Sequence, residues 1–147
     1  MNRQQATQKI LEAKVAKGLT WEEIANVGEH SETWIVTALL GQAAMSYPEA
    51  KKIGELLELE TAVIQALTYI PKRGDGIQMP PTDPVLYRFY EMLLVYGPAM
   101  KELIQEKFGE GIMSAVDFAF DIQKEENPKG DRVVLTLNGK FLPYQKW

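Results

Sequence analysis

A segment rich in proline and glycine near the middle of the chain constrains the fold most. Between residues 71 and 84 it contains four prolines and two glycines, in the order PKRGDGIQMPPTDP. Proline lacks a backbone N–H and fixes φ, and glycine weakens regular elements, so neither a helix nor a strand is expected to cross it. We interpret it as a linker that divides the chain into residues 1–75 and residues 76–147.

The first part is predicted to be a compact bundle of five short helices. Gly18 is placed to end one helix, and Thr20 with Glu23 forms a capping box that opens the next. The predicted helices cover residues 3–17, a segment between Thr20 and Gly28, residues 32–40, a segment that starts at Ser46, and residues 61–67.

The second and third of these helices resemble a helix-turn-helix of the phage-repressor type. From Thr20 to Gly41, however, the sequence has four glutamates and no lysine or arginine. A recognition helix needs Arg, Lys, Asn or Gln side chains to contact DNA bases, and an acidic face repels the phosphate groups. We therefore expect a packing module that does not bind DNA. His30 lies in the turn of this motif, where a solvated or capping side chain is the expectation.

Two helices are predicted at the start of the second part. Asp83 is a good N-cap, and Pro84 suits the first helical position. We expect Gly97 to end this helix and Pro98 to open another one that runs to Phe108. Both helices carry many apolar residues.

Beyond residue 115 the apolar period changes from helical to alternating, which predicts strands. One strand is expected from Val116, a second over residues 132–137, and a short third around residues 141–142 after a tight hairpin at Asn138-Gly139. The predicted fold class is therefore α+β, a helical bundle followed by a small α/β domain. Such a domain has a marginal core, so we expect it to recruit a second copy in a homo-oligomer.

The helix that starts at Pro84 has an unusual group of side chains. Arg88 and Glu91 are three residues apart on one helix face, with Tyr87, Phe89 and Tyr90 around them. The spacing alone is typical of a solvated surface ion pair, which contributes less than about 1 kcal/mol. The aromatic residues leave open a partly desolvated site for anions.

The residues of this helix resemble the signature helix of the cyanate hydratases, or cyanases. Further blocks near Ser114 and at the C-terminal end resemble the same family, densely over residues 82–144 and only generally over the first 75. The matching segments are Thr82-Asp83-Pro84, Tyr87 to Leu93, Val95-Tyr96-Gly97, Glu106 to Gly109, Gly111 to Ala115, Gly139-Lys140 and Leu142-Pro143.

This resemblance implies an enzyme, a lyase that decomposes cyanate with bicarbonate to ammonia and carbon dioxide through carbamate. It places Arg88, Glu91 and Ser114 on the family's three catalytic positions. A guanidinium can orient two small anions through paired hydrogen bonds, and a serine hydroxyl can bind an anionic oxygen. Bicarbonate is then a co-substrate, and no cofactor or metal is expected.

The resemblance also implies a homodecamer of five dimers, in which the C-terminal strands of two chains are intertwined. It makes the part from residue 76 to residue 147 the catalytic oligomerisation domain. The active sites of the family lie at subunit interfaces. This agrees with the expectation that the small second domain associates with other copies of the chain.

Composition excludes several other classes of function. The 147 residues contain no cysteine and one histidine, so disulfides, thiol nucleophiles and histidine-based metal sites lack their parts. A net charge of −4 argues against non-specific binding to nucleic acid or membranes. Without a signal-like or membrane-spanning apolar run, we expect a cytoplasmic protein with no membrane partner.

Two alternatives remain at this point. One is a helix-turn-helix regulator that binds DNA and senses a small anion through its C-terminal domain. The other is an assembly protein without catalytic activity, in which Arg88 and Glu91 form an interface ion pair.

Overall fold

A computed structural model describes residues 1–146 and has the predicted α+β class: six helices precede a two-stranded antiparallel sheet. Trp147, the last residue of the predicted second domain, lies outside the described residues. The elements are α1 (Arg3–Lys17), α2 (Trp21–Ala25), α3 (Glu32–Leu39), α4 (Tyr47–Leu57), α5 (Thr61–Thr68), α6 (Pro84–Phe108), β1 (Gly111–Glu125) and β2 (Arg132–Pro143).

The chain divides into two compact units. The first contains Met1–Asp75 together with Phe120–Leu135, and the second contains Gly76–Ala119 together with the residues from Thr136 onwards. Residues 69–83 form neither helix nor strand, as the proline and glycine content predicts.

Helices α1 to α5 bury a shared apolar core. Side chains cap the N-termini of α1 to α4, among them Thr20, which accepts from the Glu23 N–H. Helix α4 packs on α5, α1 packs on both, and α2 packs on α3. The largest fully buried apolar side chains are Ile10, Ile24, Ile35, Leu39, Ile53, Leu57, Val63 and Leu67.

An arginine joins three parts of this bundle. The guanidinium of Arg3 donates to the carbonyl oxygens of Ala66, Ala38 and Ala43, at 2.8, 2.8 and 2.7 Å. Burial lowers the pKa of Arg3, because desolvation disfavours the charged form. The three carbonyls compensate for that desolvation, so Arg3 stabilises the packing of α1 against residues near the ends of α3 and α5.

The turn between α2 and α3 departs in detail from the prediction. Helix α2 ends at Ala25, before Gly28. Gly28 is required there by close packing, because a Cβ at this position would lie 2.6 Å from Cδ1 of Ile35. Whether this pair of helices is a true helix-turn-helix stays a prediction.

The predicted break at Gly97 is wrong, because α6 continues through Gly97 and Pro98 to Phe108. Its start is as predicted: Oδ1 of Asp83 accepts from the N–H groups of Val85 and Leu86 at 2.9 and 3.1 Å. Proline inside a helix removes one hydrogen bond, and its ring disfavours helical geometry in the preceding residue. Glycine lacks the Cβ that would contact that ring, so the pair Gly97-Pro98 is tolerated within the helix.

The strands are longer and fewer than predicted. Strand β1 begins at Gly111, ahead of the predicted Val116, and therefore includes Ser114. Strand β2 runs unbroken from Arg132 to Pro143, so the hairpin at Asn138-Gly139 and the third strand are wrong. A Cβ at Gly139 would lie 2.5 Å from both the Ser114 carbonyl oxygen and Cγ of Met113. The glycine thus permits close approach of the two strands rather than a turn.

Candidate active site

The first part of the candidate site is an ion pair on the second turn of α6. Nη1 of Arg88 donates to Oε2 of Glu91 at 2.7 Å, and the side chains are 70% and 47% exposed. The rings of Tyr87 and Tyr90 lie beside them, with centroids 6.2 Å apart. Within a single chain this is the solvated ion pair that the i, i+3 spacing predicts. The remaining N–H groups of the guanidinium are available to a ligand.

The second part is Ser114 in β1, which is 5% exposed and is the only buried residue after Leu67 within residues 1–146. Its Oγ accepts hydrogen bonds from the N–H groups of Val116 and Asp117, at 3.0 and 2.9 Å. A serine hydroxyl has two lone pairs and one proton. Since both lone pairs are occupied, what the hydroxyl can still offer is its proton, which suits an anionic oxygen.

The single chain brings together two of the three predicted site residues. Arg88 contacts Glu91, whereas the side-chain hydrogen bonds of Ser114 within residues 1–146 come from its own strand. Among these described residues, no three acidic or histidine side chains gather closely enough to hold a metal ion.

A second buried polar side chain, Glu49 of α4, was not predicted from the sequence and is 1% exposed. Its Oε1 accepts from the Glu29 N–H at 2.8 Å and lies 3.0 Å from Nδ1 of His30, whose ring stacks on Trp34 at 4.1 Å. Its Oε2 is buried, and no group among the described residues 1–146 forms a hydrogen bond with it. Glu49 sits at the third position of a capped helix, a place that usually faces solvent, so only the tertiary fold shows its burial.

Two family models cover almost the whole chain. The model of the N-terminal domain of cyanate hydratase matches residues 3–71, and the model of the cyanate lyase C-terminal domain matches residues 78–146. The chain belongs to the cyanate hydratase family.

Curated relatives of this family match over the full length. A cyanate hydratase of Thiobacillus denitrificans is 48% identical over 147 residues, which is 100% of both chains. One from Synechocystis is 51% identical over 141 residues, covering 96% of this chain and 94% of its own. The crystal structure of a cyanase from T. urticae superposes with a TM-score of 0.83 at 38% identity, covering 94% of this chain and 96% of that one.

Membership in the cyanate hydratase family makes the chain an enzyme of the lyase class. The alternative of a DNA-binding regulator receives no support from these comparisons. No helix among residues 1–146 combines the length and apolar character needed to cross a membrane.

Proposed function

We propose that the chain decomposes cyanate with bicarbonate, and that Arg88, Glu91 and Ser114 carry the reaction. An oxygen of bicarbonate attacks the carbon of cyanate, and the nitrogen takes up a proton to give a carboxylated carbamate. That intermediate loses carbon dioxide, and the remaining carbamate takes up a proton and separates into ammonia and a second carbon dioxide. The observation that carries the proposal is the full-length match to cyanate hydratases.

Arg88 is proposed to bind and orient both anions. Cyanate and bicarbonate repel each other, and a guanidinium offsets that repulsion while its planar N–H groups fix their orientation. The 2.7 Å contact with Glu91 supports this role, because it holds the arginine through one nitrogen and leaves other donors open. Glu91 is also proposed to hand a proton to the cyanate nitrogen.

Ser114 is proposed to bind an anionic oxygen and not to act as a nucleophile. A nucleophilic serine needs a free lone pair and a neighbouring base. The N–H groups that donate to Oγ of Ser114 at 3.0 and 2.9 Å occupy its lone pairs and leave its proton free to be donated. The reaction requires no covalent adduct, metal or organic cofactor, since bicarbonate itself supplies the attacking oxygen.

We propose further that the active enzyme is a cytoplasmic homo-oligomer, a decamer built as a pentamer of dimers with intertwined C-terminal strands. The exposed apolar surface of α6 supports this assembly, because none of its residues is buried within one chain. Leu93, Leu94, Val95 and Tyr96 are each 59–62% exposed. A helical segment that is apolar on all sides, as these four residues are, requires cover, and another copy can also bring Ser114 to the Arg88–Glu91 pair of its neighbour.

The test measures ammonia release from cyanate with and without added bicarbonate, for the parent chain and for Arg88→Lys. We expect bicarbonate-dependent release by the parent. Lysine keeps the charge but loses the planar fork, so the variant should lose about 10- to 100-fold in activity, corresponding to a charge-assisted hydrogen bond of about 1.5–3 kcal/mol.

The control is Arg73→Lys, the same change at an exposed arginine in the linker. It should leave activity unchanged, and both variants should elute at the same size as the parent in size-exclusion chromatography. Full activity in Arg88→Lys would count against the role proposed for Arg88.

A further inference from the structure

The close approach of the two strands occurs at the candidate site residue Ser114. A Cβ at Gly139 of β2 would lie 2.5 Å from the Ser114 carbonyl oxygen, well inside normal contact distance. The same Cβ would lie 2.5 Å from Cγ and 3.2 Å from Sδ of Met113. The methionine side chain can move aside, but the carbonyl oxygen belongs to the backbone. Any side chain at position 139 must therefore displace one of the two strands at Ser114.

The backbone around Ser114 sets the direction of its hydroxyl. Successive N–H groups of a regular strand point to opposite edges, yet those of Val116 and Asp117 both donate to Oγ of Ser114. Strand β1 is therefore locally irregular just after Ser114, and it has 15 residues against 12 in β2. Since the hydroxyl is fixed by this local geometry, a displacement of the backbone at Ser114 moves the hydroxyl as well.

We infer that Gly139 is a positioning residue for Ser114. Its missing side chain lets β2 lie directly against the Ser114 carbonyl, which keeps the Ser114 hydroxyl where it donates to the anionic substrate. This inference rests on the binding role proposed for Ser114. It predicts that a methyl group at position 139 weakens substrate binding through the serine, without contacting the substrate itself.

Gly111 provides a matched control on the same pair of strands. A Cβ there would lie 2.4 Å from the Leu142 carbonyl oxygen and 2.5 Å from the Phe141 ring. Gly111→Ala thus introduces the same kind of overlap with a backbone carbonyl, away from Ser114. An effect of general disturbance of the sheet would appear in both glycine variants, whereas an effect through Ser114 would appear only in Gly139→Ala.

The experiment is a double-mutant cycle on the full-length assembled enzyme. The kcat and KM for ammonia release are measured for the parent, Ser114→Ala, Gly139→Ala and the double variant, and the cycle is repeated with Gly111→Ala. We expect Ser114→Ala to lower kcat/KM by about 10-fold or more, as for a lost hydrogen bond to an anion. Gly139→Ala should cause a similar loss in the parent and less than about a twofold further loss in Ser114→Ala.

Malonate is a dianion that resembles the bicarbonate–cyanate pair. The same cycle measured as malonate binding by calorimetry needs no turnover, so it tests Gly139 even if the proposed reaction fails. Equal losses from Gly139→Ala in both serine backgrounds, or no loss at all, would overturn the inference. So would unchanged kinetics and binding in Ser114→Ala. Absence of bicarbonate-dependent ammonia release by the parent enzyme would instead refute the proposed function.

Met113→Ala/Gly139→Ala is the second variant, because it removes the side-chain overlap and leaves the overlap with the Ser114 carbonyl. It should reproduce the kinetic pattern of Gly139→Ala with less effect on folding. If neither variant assembles, Gly139 is needed for the fold itself and the positioning role is wrong.

Discussion

The helical bundle and helix α6 both carry many apolar side chains but bury them differently. Every buried apolar residue among residues 1–146 lies between Ala6 and Leu67, within the bundle. Helix α6 has 25 residues, many of them large and apolar, and none is buried. The difference shows that the bundle completes its core within one chain, whereas α6 depends on surfaces that a single chain does not supply.

The sequences of the two regions account for this difference. A bundle helix such as α4 has a capped start and one apolar stripe, so one face packs inward and the rest faces solvent. In α6 the residues from Leu93 to Tyr96 are apolar in succession and point in all directions around the axis. Such a helix requires neighbours on several sides, as an oligomer provides.

The largest expected effect comes from placing a charge on α6. Leu94 is 62% exposed in the single chain, and we expect Leu94→Glu to abolish assembly and with it nearly all activity. Burying an unpaired carboxylate at an interface costs more than the roughly 2–7 kcal/mol of an unpaired polar group, and every copy carries the change. Size-exclusion chromatography with light scattering and the ammonia assay measure both losses.

Val15→Glu is the matched change in the bundle, where Val15 is 79% exposed at the solvent side of α1. We expect the oligomer and the activity of this variant to be those of the parent. If Leu94→Glu also assembled normally, the contrast between the two regions would be wrong, and the exposed face of α6 would need another explanation.

Local sequence signals predicted the bundle well because its helix ends depend on contacts within a few residues. Thr20 and Ser46 cap the helices that they were expected to cap. Gly97 was misread as a stop, although α6 continues through it. Gly139 was misread as a turn, because glycine also serves where two backbone segments approach closely. That use depends on residues distant in sequence, which no local pattern reveals.

The candidate site also combines features that the local sequence predicts with features that depend on distant residues. The contact between Arg88 and Glu91 follows from their i, i+3 spacing and is present. Ser114 was identified through the family resemblance, and no local sequence pattern indicates that two backbone N–H groups occupy its lone pairs. The burial of Glu49 could not be predicted either, because it is determined by the turn that packs Glu29 and His30 against α4.

A second prediction concerns Glu49 and tests whether the bundle is stable independently of assembly. Glu49→Ala removes the acceptor of the Glu29 N–H and the partner of His30, so we expect the free energy of unfolding to fall by about 1–3 kcal/mol. Chemical denaturation followed by tryptophan fluorescence measures this loss, since Trp34 stacks on His30. The oligomer of the native variant should be unchanged.

Glu55→Ala is the control on the same helix, because the Glu55 side chain is 66% exposed and forms an i, i+4 pair with Lys51 at 3.6 Å. Its effect should be within about 0.5 kcal/mol. Equal effects of the two alanine variants would show that the burial of Glu49 contributes nothing to the stability of the bundle.

The smallest expected effect is a dependence of bundle stability on acid pH. Hydrogen bonds from Thr20 lower the pKa of Glu23, and the neighbouring Lys52 and Lys17 lower the pKa values of Glu29 and Glu58. A carboxyl with a lowered pKa in the folded state stabilises that state above its unfolded pKa of about 4.3, and the contribution is lost as the pH falls below that value. These groups are exposed, so solvent and salt weaken each contribution.

We therefore expect the denaturation midpoint of the bundle to be constant from neutral pH down to about 5 and to fall at lower pH. Glu23→Gln keeps the capping box, because glutamine can also accept from the Thr20 N–H, but it removes one titrating group. Its midpoint should fall less steeply with acid than that of the parent. An identical pH profile in the two proteins would show that the bond between Thr20 and Glu23 does not couple to folding.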